Sequence, residues 1–520
     1  MPALIIHGHF YQPPRENPWT GIIEQQPSAA PFHDWNERIY LECYKPNALV
    51  TLSDSTTSEA RTINNYASIS FNFGPTLLSW LEGNHAKTYQ QIIEADRTSV
   101  LKHRGHGNAI AQAYGHAILP LCNERDLRTQ IRWGLADFRY RFGREAEAIW
   151  LPETACNDYV LDALIEEGLR FVILAPHQAG RVRTQVRTPT SRGSRVDGDV
   201  GWKSVDQHTF DTSNPYLRFH RDGSDRSIAV FFYDGPTSRA IAFEKLLTSS
   251  QGFIDGLARA TGNRNMINVA TDGETYGHHF KFGDICLAHA IEEEAPATGF
   301  EITNYAAYLE AHPPIFEVEI NNGPNNEGTS WSCMHGIDRW IRDCGCQTGG
   351  EPGWSQEWRL PLRTALNYLR DENIAHFEAT RGKLFIYPWL ARDESISLIL
   401  DSHASREKFL FDQAGRWLSS DDQQRALTHL ELQRMLILMY TSCGWFFNDI
   451  AGIETIQILR YAGRAIDLMN QLGLPSVLER FLEILSEAKS NKAAIGTGAD
   501  IYRKFVEPLR NDRVPETITA

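Results

Sequence analysis

The sequence predicts an α/β protein built on a mainly parallel sheet, either a barrel or a doubly wound sheet, followed by an α-helical region. Two patterns carry this. Over roughly the first 320 residues, short apolar runs alternate with amphipathic stretches, as repeated βαβ units require. After the turn-rich "CQTGGEPGW" (Cys346 to Trp354), the apolar spacing is helical to the end.

The elements follow in order. "ALIIHGHF" (Ala3 to Phe10) is a short apolar strand ending in histidines and an aromatic. "ASISFNF" (Ala67 to Phe73) reads as a strand, and "PTLLSWLE" begins a helix with proline at its first position. "AEAIWL" is a strand, and "NDYVLDALIEEG" is an amphipathic helix stopped by Gly168. "RFVILA", "SIAVFFY" and "NMINVAT" are further buried strands, with "SRAIAFEKLLTS" as a helix after the second. The stretch from about Gln178 to Asp225, rich in Arg, Thr, Ser and Gly, reads as an inserted loop, with a β-ribbon as its other reading. The expected organisation is a barrel over 1–320 with that insertion. A connecting segment with a Cys/His/Trp cluster follows over 321–354, and helices over 355–520.

Composition narrows the function. A hydrophobic content of 42% with 22% charged residues suits a globular chain with a large core. The net charge of -14 argues against nucleic-acid binding, which needs a basic face. No window approaches a membrane span. The opening "MPALIIHGHFYQPP" lacks a basic start and a long apolar run, so a cytoplasmic location is expected. Eight cysteines are sparse, and a reducing compartment would keep most as thiols.

Sites of parallel α/β folds lie at the C-terminal ends of strands. Four such ends carry polar clusters: His7 and His9; Glu153; Asp234 with Arg239; and Asp272, Glu274, His278 and His279. The loop "HGNAIAQAYGHAILP" adds His106, Tyr114 and His116. A barrel would bring Glu153 and Asp272 to one mouth, and paired carboxylates are the working parts of glycoside hydrolysis. Trp150 beside Glu153 could raise a carboxylate pKa or stack on a sugar face, and Trp331 is either a cleft aromatic or core.

These motifs resemble glycoside hydrolase family 57. The match lies in "HGHFYQP", "FNFGPTLLSWLE", "WLPE" and "DGETYGHH", in the family's order. The resemblance implies an incomplete (β/α)7 TIM-like barrel, retaining chemistry and, in most members, α-glucan substrates. It implies Glu153 as nucleophile, Asp272 as acid/base, and His7, His9 and Trp202 as sugar-binding positions. Family activities include amylase, glucanotransferase, branching enzyme and galactosidase, among which the motifs do not choose.

His7 and His9 could be metal ligands, but hydrogen bonding to hydroxyls or carboxylates is the favoured reading, so neither metal nor cofactor is expected. Cys333, His335, Cys344 and Cys346 could hold zinc, yet their spacing matches no common zinc pattern. The rival functions are a metal-dependent polysaccharide deacetylase and a non-catalytic glycan-binding protein.

Overall fold

The computed structural model describes residues 1–53, 60–184, 201–206 and 210–511. Two compact units interleave along the chain. One comprises 1–12, 26–112 and 138–331, the other 13–25, 113–137 and 332–520.

The first unit is an incomplete (β/α)7 barrel. Its strands are β1 (Ala3–Phe10), β2 (Ser70–Phe73), β3 (Ala111–Gln112), β4 (Ile149–Trp150), β5 (Phe171–Leu174), β6 (Ser227–Phe232) and β7 (Met266–Asp272). β1 is buried along its whole length, as its apolar start, Ala3 to Ile6, suits a parallel strand covered on both faces. It pairs in parallel with β7, from Ala3↔Met266 to His9↔Asp272, and with β2, from His7↔Ser70 to Phe10↔Phe73. That register brings the polar ends of three strands together. Single parallel bridges, Phe71↔Ala109 and Ala148↔Phe171, carry the circuit through the short β3–β4 pair to β5 and β6.

Between β6 and β7 there is no ladder. The free edge of β6 pairs instead with Tyr216–Phe219, antiparallel, and that sheet continues through Phe316–Ile320 and Ala179–Thr184 to Lys203–Ser204. Part of the expected inserted loop is therefore sheet; residues 185–200 and 207–209 lie outside the described residues. One side chain spans the interruption. Asn268, fully buried on β7, donates through Nδ2 to the carbonyls of Thr212 (3.1 Å) and Phe232 (3.0 Å). Its Oδ1 accepts from the Tyr305 hydroxyl at 3.1 Å, and its backbone carbonyl accepts from Asp234 N–H at 2.7 Å.

The helices begin where the sequence signals them. Pro75 opens Pro75–Asn84, and the Asn157 side chain caps Asp158–Glu166 by accepting from Val160 N–H at 3.1 Å. "SRAIAFEKLLTS" departs from expectation. The helix starts earlier, at Gly235, ends at Phe243, and breaks at Lys245, whose φ of 60° is left-handed. The core of this unit gathers Ile5, Trp150, Phe171, Phe231 and Tyr305 from facing strands and the helix Tyr305–Ala311.

The second unit is helical. Its long members are Arg359–Glu378, Ser420–Leu438 and Ile453–Gln471, each burying a stripe such as Leu362, Ala365, Leu366 and Leu369. Among the described residues no helix is long and apolar enough to cross a membrane.

Asn268→Leu leaves two carbonyls and the Tyr305 hydroxyl without their partner. We expect a loss of at least about 3 kcal/mol in stability, since three buried polar groups are orphaned at about 1–3 kcal/mol each. Chemical denaturation of the variant checks this; an unchanged midpoint would show that the interruption needs no such support.

Candidate active site

The turn after β4 presents Glu153 in an uncommon way. Glu153 has φ 58° and ψ 22°, and Thr154 follows with φ 49°, so two non-glycine residues in succession are left-handed. Their surroundings fix them there. Trp331 N–H donates to the Glu153 carbonyl at 3.0 Å, and Thr154 N–H to Leu151 at 2.8 Å. The buried amide of Gln178 accepts from Thr154 Oγ1 (2.9 Å) and from Ala175 N–H (2.9 Å). It donates to the carbonyls of Thr154 (2.9 Å) and Thr329 (3.0 Å). The Glu153 carboxylate accepts from the Trp331 indole Nε1 at 2.9 Å.

Asp272 ends β7 opposite His9. The residue is exposed, yet nearby protein atoms limit the hydration of its carboxyl. That desolvation, and next the negative charge of Glu153, raise its pKa from 3.8 to about 7. Both causes act upward. Mutual influence of charge places the two acids in one electrostatic environment. Glu274, two residues on, is buried and pushed up to about 8 by desolvation first and the Asp272 charge second. It accepts from the Tyr44 hydroxyl at 2.6 Å and from Tyr11 N–H at 3.1 Å. Gly273 between them has a steric reason: a Cβ there would sit 2.3 Å from the Phe10 ring.

Beside the acids, a single amide fixes both histidines. Asn72 of β2 lies with Oδ1 3.1 Å from His7 Nε2 and with Nδ2 2.9 Å from His9 Nδ1 and 2.8 Å from Gln112 Oε1. An amide oxygen only accepts, so His7 Nε2 carries a proton; His9 Nδ1 lies 3.3 Å from Oδ1 but nearer to Nδ2, and accepting from Nδ2 leaves it without one. His7 Nδ1 then accepts from Ser70 Oγ at 3.0 Å. Burial drives both pKa values down to about 3, with the His9 charge adding to the effect on His7, so both rings are neutral. Trp150 stacks on His7 (4.7 Å between centroids) and on His9 (5.1 Å). Trp331 meets Trp150 edge-on at 5.2 Å, and Tyr233 meets Trp331 at 6.4 Å.

The structure thus gathers Glu153, Asp272, Glu274, His7, His9, Trp150 and Trp331. Trp150 is 1% exposed, so it supports the histidines from the core rather than offering a face to a ligand. The other expected residues are engaged elsewhere. Asp234 caps Gly235–Phe243, its Oδ1 accepting from Thr237 N–H at 3.0 Å. His278 pairs with Glu42 and lies edge-on to Trp35. Trp202 lies under the guanidinium groups of Arg183 (4.6 Å) and Arg181 (5.2 Å) on the excursion sheet. His106 is paired with Glu147 and Glu310. His116 belongs to the second unit, its Nδ1 2.7 Å from Ser442 Oγ. Sequence reasoning missed Asn72, Gln178, Tyr44 and Tyr233. Asn72 carried a readable sign, a polar residue between two phenylalanines of a buried strand.

An incomplete α/β barrel with two interacting carboxyls at or just beyond its strand ends has the equipment of a glycoside hydrolase. The family profile "Glycosyl hydrolase family 57" matches residues 5–318, and the chain belongs to that family. Residues 354–514 match a "Domain of unknown function (DUF3536)". No curated protein matches the sequence significantly. Among solved structures, the fold is similar to an exo-type maltose-forming amylase from Pyrococcus sp. ST04 (TM-score 0.65, 15% identity), over 99% of this chain and 89% of that one. It is also similar to branching enzymes from Pyrococcus horikoshii (TM-score 0.54, 14% identity, 99% and 97% covered) and Thermococcus kodakaraensis (TM-score 0.52, 15% identity, 98% and 95% covered).

Trp331→Phe removes the indole donor to Glu153 and keeps an aromatic ring. A hydrogen bond to a charged group contributes about 1.5–3 kcal/mol, so kcat/KM should fall by about tenfold to a hundredfold. Steady-state kinetics of the variant against wild type check this.

Proposed function

We propose that the chain is a retaining glycosidase or transglycosylase acting on α-linked glucan, with Glu153 as nucleophile and Asp272 as general acid/base. The observation that carries this is the unequal pair. Glu153 has an indole donor suited to a carboxylate, while Asp272 is kept protonated toward neutrality by desolvation and by the charge of Glu153. Pairs of acids whose surroundings push their pKa values apart divide acid and nucleophile roles.

Chemistry follows from those roles. Glu153 attacks the anomeric carbon as Asp272 gives its proton to the departing glycosidic oxygen, leaving a glycosyl ester on Glu153. Asp272, now a base, takes a proton from water or from a sugar hydroxyl, whose oxygen displaces the ester and frees Glu153. His9, neutral and with Nδ1 occupied by Asn72, carries its proton on Nε2, a donor suited to a sugar hydroxyl. The α-glucan assignment draws on the amylase and branching enzymes of similar fold. The deacetylase alternative is disfavoured because Ser70 and Asn72 occupy both His7 nitrogens.

Incubation with maltoheptaose, followed by separation of products, tests the reading. Shorter sugars alone indicate hydrolysis, longer ones transfer, and no product at any enzyme concentration removes the α-glucan assignment. Glu153→Gln should abolish turnover without loss of fold by circular dichroism. Asp272→Asn should cost about 10²–10⁴-fold in kcat/KM on glucan and much less in kcat/KM on an aryl glycoside, whose leaving group needs no proton in the first step.

The pH dependence has a definite sign. Asp272 is raised above its ordinary 3.8, so the proton needed for the first step is held below about 7 and lost above it. The kcat/KM profile should therefore fall on the alkaline side near pH 7. A profile flat to pH 9 would remove Asp272 as the acid.

A further inference from the structure

We propose that Cys333, His335, Cys344 and Cys346 form a closed, four-coordinate structural zinc site in the second unit. The four ligand atoms lie within 4.8 Å of one another. Cys333 Sγ is 3.9 Å from Cys344 Sγ and 3.8 Å from Cys346 Sγ, and Cys346 Sγ is 3.5 Å from His335 Nδ1.

These separations are the edges of one small tetrahedron. Sulfurs held about 2.3 Å from a zinc ion in tetrahedral geometry stand about 3.8 Å apart, and a sulfur and an imidazole nitrogen about 3.6 Å apart. A disulfide would need about 2.05 Å between two of the sulfurs. An iron–sulfur cluster places its thiolates on different irons, farther apart than a mononuclear site does. Three sulfurs and one imidazole nitrogen are a common structural donor set for zinc.

The surroundings are prepared for thiolates. Backbone N–H groups of Arg339 and His335 reach the Cys333 sulfur, and that of Cys346 reaches the Cys344 sulfur. Gly345, between two ligands, takes φ 77°, and Gly336 after His335 takes φ 83°, so both short loops turn tightly enough to aim their side chains inward.

Charge balance gives an independent reason. Arg359 is fully buried, and a buried guanidinium needs a counter-charge. Its hydrogen bonds run to the carbonyls of Trp445 (3.1 Å) and Cys346 (3.3 Å) and to Cys344 Sγ at 4.0 Å. Arg339 adds like charge nearby, while the neighbouring Asp343 accepts from the backbone amides of Gly345 and Gln356. Three thiolates and one imidazole around a divalent ion carry one net negative charge, which matches the one guanidinium against them. Cys333 itself is 3% exposed. With all four positions taken by protein, such a site braces the fold and does no chemistry.

The test uses the full-length chain, expressed with zinc and purified without chelator. Mass spectrometric elemental analysis should find about one zinc per chain, released by a thiol-specific mercurial. Cys346→Ser should lose it, and Cys286→Ser, a thiol elsewhere in the chain, should keep it. Because Cys346→Ser could simply misfold, wild-type protein stripped by chelation gives a second measurement. Its melting temperature should fall by several degrees, and added cobalt should produce the intense visible bands and thiolate charge transfer of a tetrahedral site. Wild type with no zinc and no cobalt bands overturns the proposal, as does a Cys333–Cys344 disulfide in the non-reduced peptide map.

Discussion

Two neighbouring carboxyl groups short of water cannot both carry charge without strong mutual repulsion, and the barrel is arranged around that constraint. Asp272 yields by holding its proton, and Glu274 behind it does the same. The groups described beside them include neutral ones. Burial keeps His7 and His9 from charging, and Tyr44 satisfies Glu274 with a hydroxyl rather than a cation. A lysine or arginine in contact with these acids would drive Asp272 back to its ordinary range and leave it without a proton to give. The aromatic stack of His7, Trp150 and His9 meets the same requirement from the core side, supplying packing without charge.

The barrel delivers this arrangement through a few buried amides. Asn72 locks the two imidazoles, Gln178 locks the turn that carries Glu153, and Asn268 spans the place where β6 turns away to the excursion sheet. Each of the three uses both ends of its amide, as a donor and as an acceptor, in a dry environment where an unmade bond is costly. The barrel can give its sixth strand to another sheet because Asn268 satisfies Phe232 in place of a ladder.

The strands were largely legible in the sequence, since a strand covered on both faces reads as a mainly apolar run, and β1, β5, β6 and β7 are such runs. The two acids were legible because Asp272 ends β7 and Glu153 lies just after β4. The amides were not: an asparagine inside a strand has no periodicity, and its value depends on partners about forty or more positions away, as with Asn72 and Gln112. The helix break at Lys245 was hidden because lysine carries no turn signal. Trp150 and Trp331 looked alike from composition, and only burial separates the support from the residue that touches Glu153. The cysteine cluster matched no familiar spacing because its ligands come from two tight glycine turns rather than one knuckle motif.

The left-handed pair at Glu153 and Thr154 also bears on how this protein can be improved. Residues with a Cβ resist that conformation, whereas glycine adopts it freely. Glycine at position 153 would therefore relax the turn while deleting the carboxylate. Under the proposed nucleophile role, a laboratory selection that rewarded heat resistance alone would drift toward inert proteins at this position, so any thermostabilising library needs a simultaneous screen for turnover.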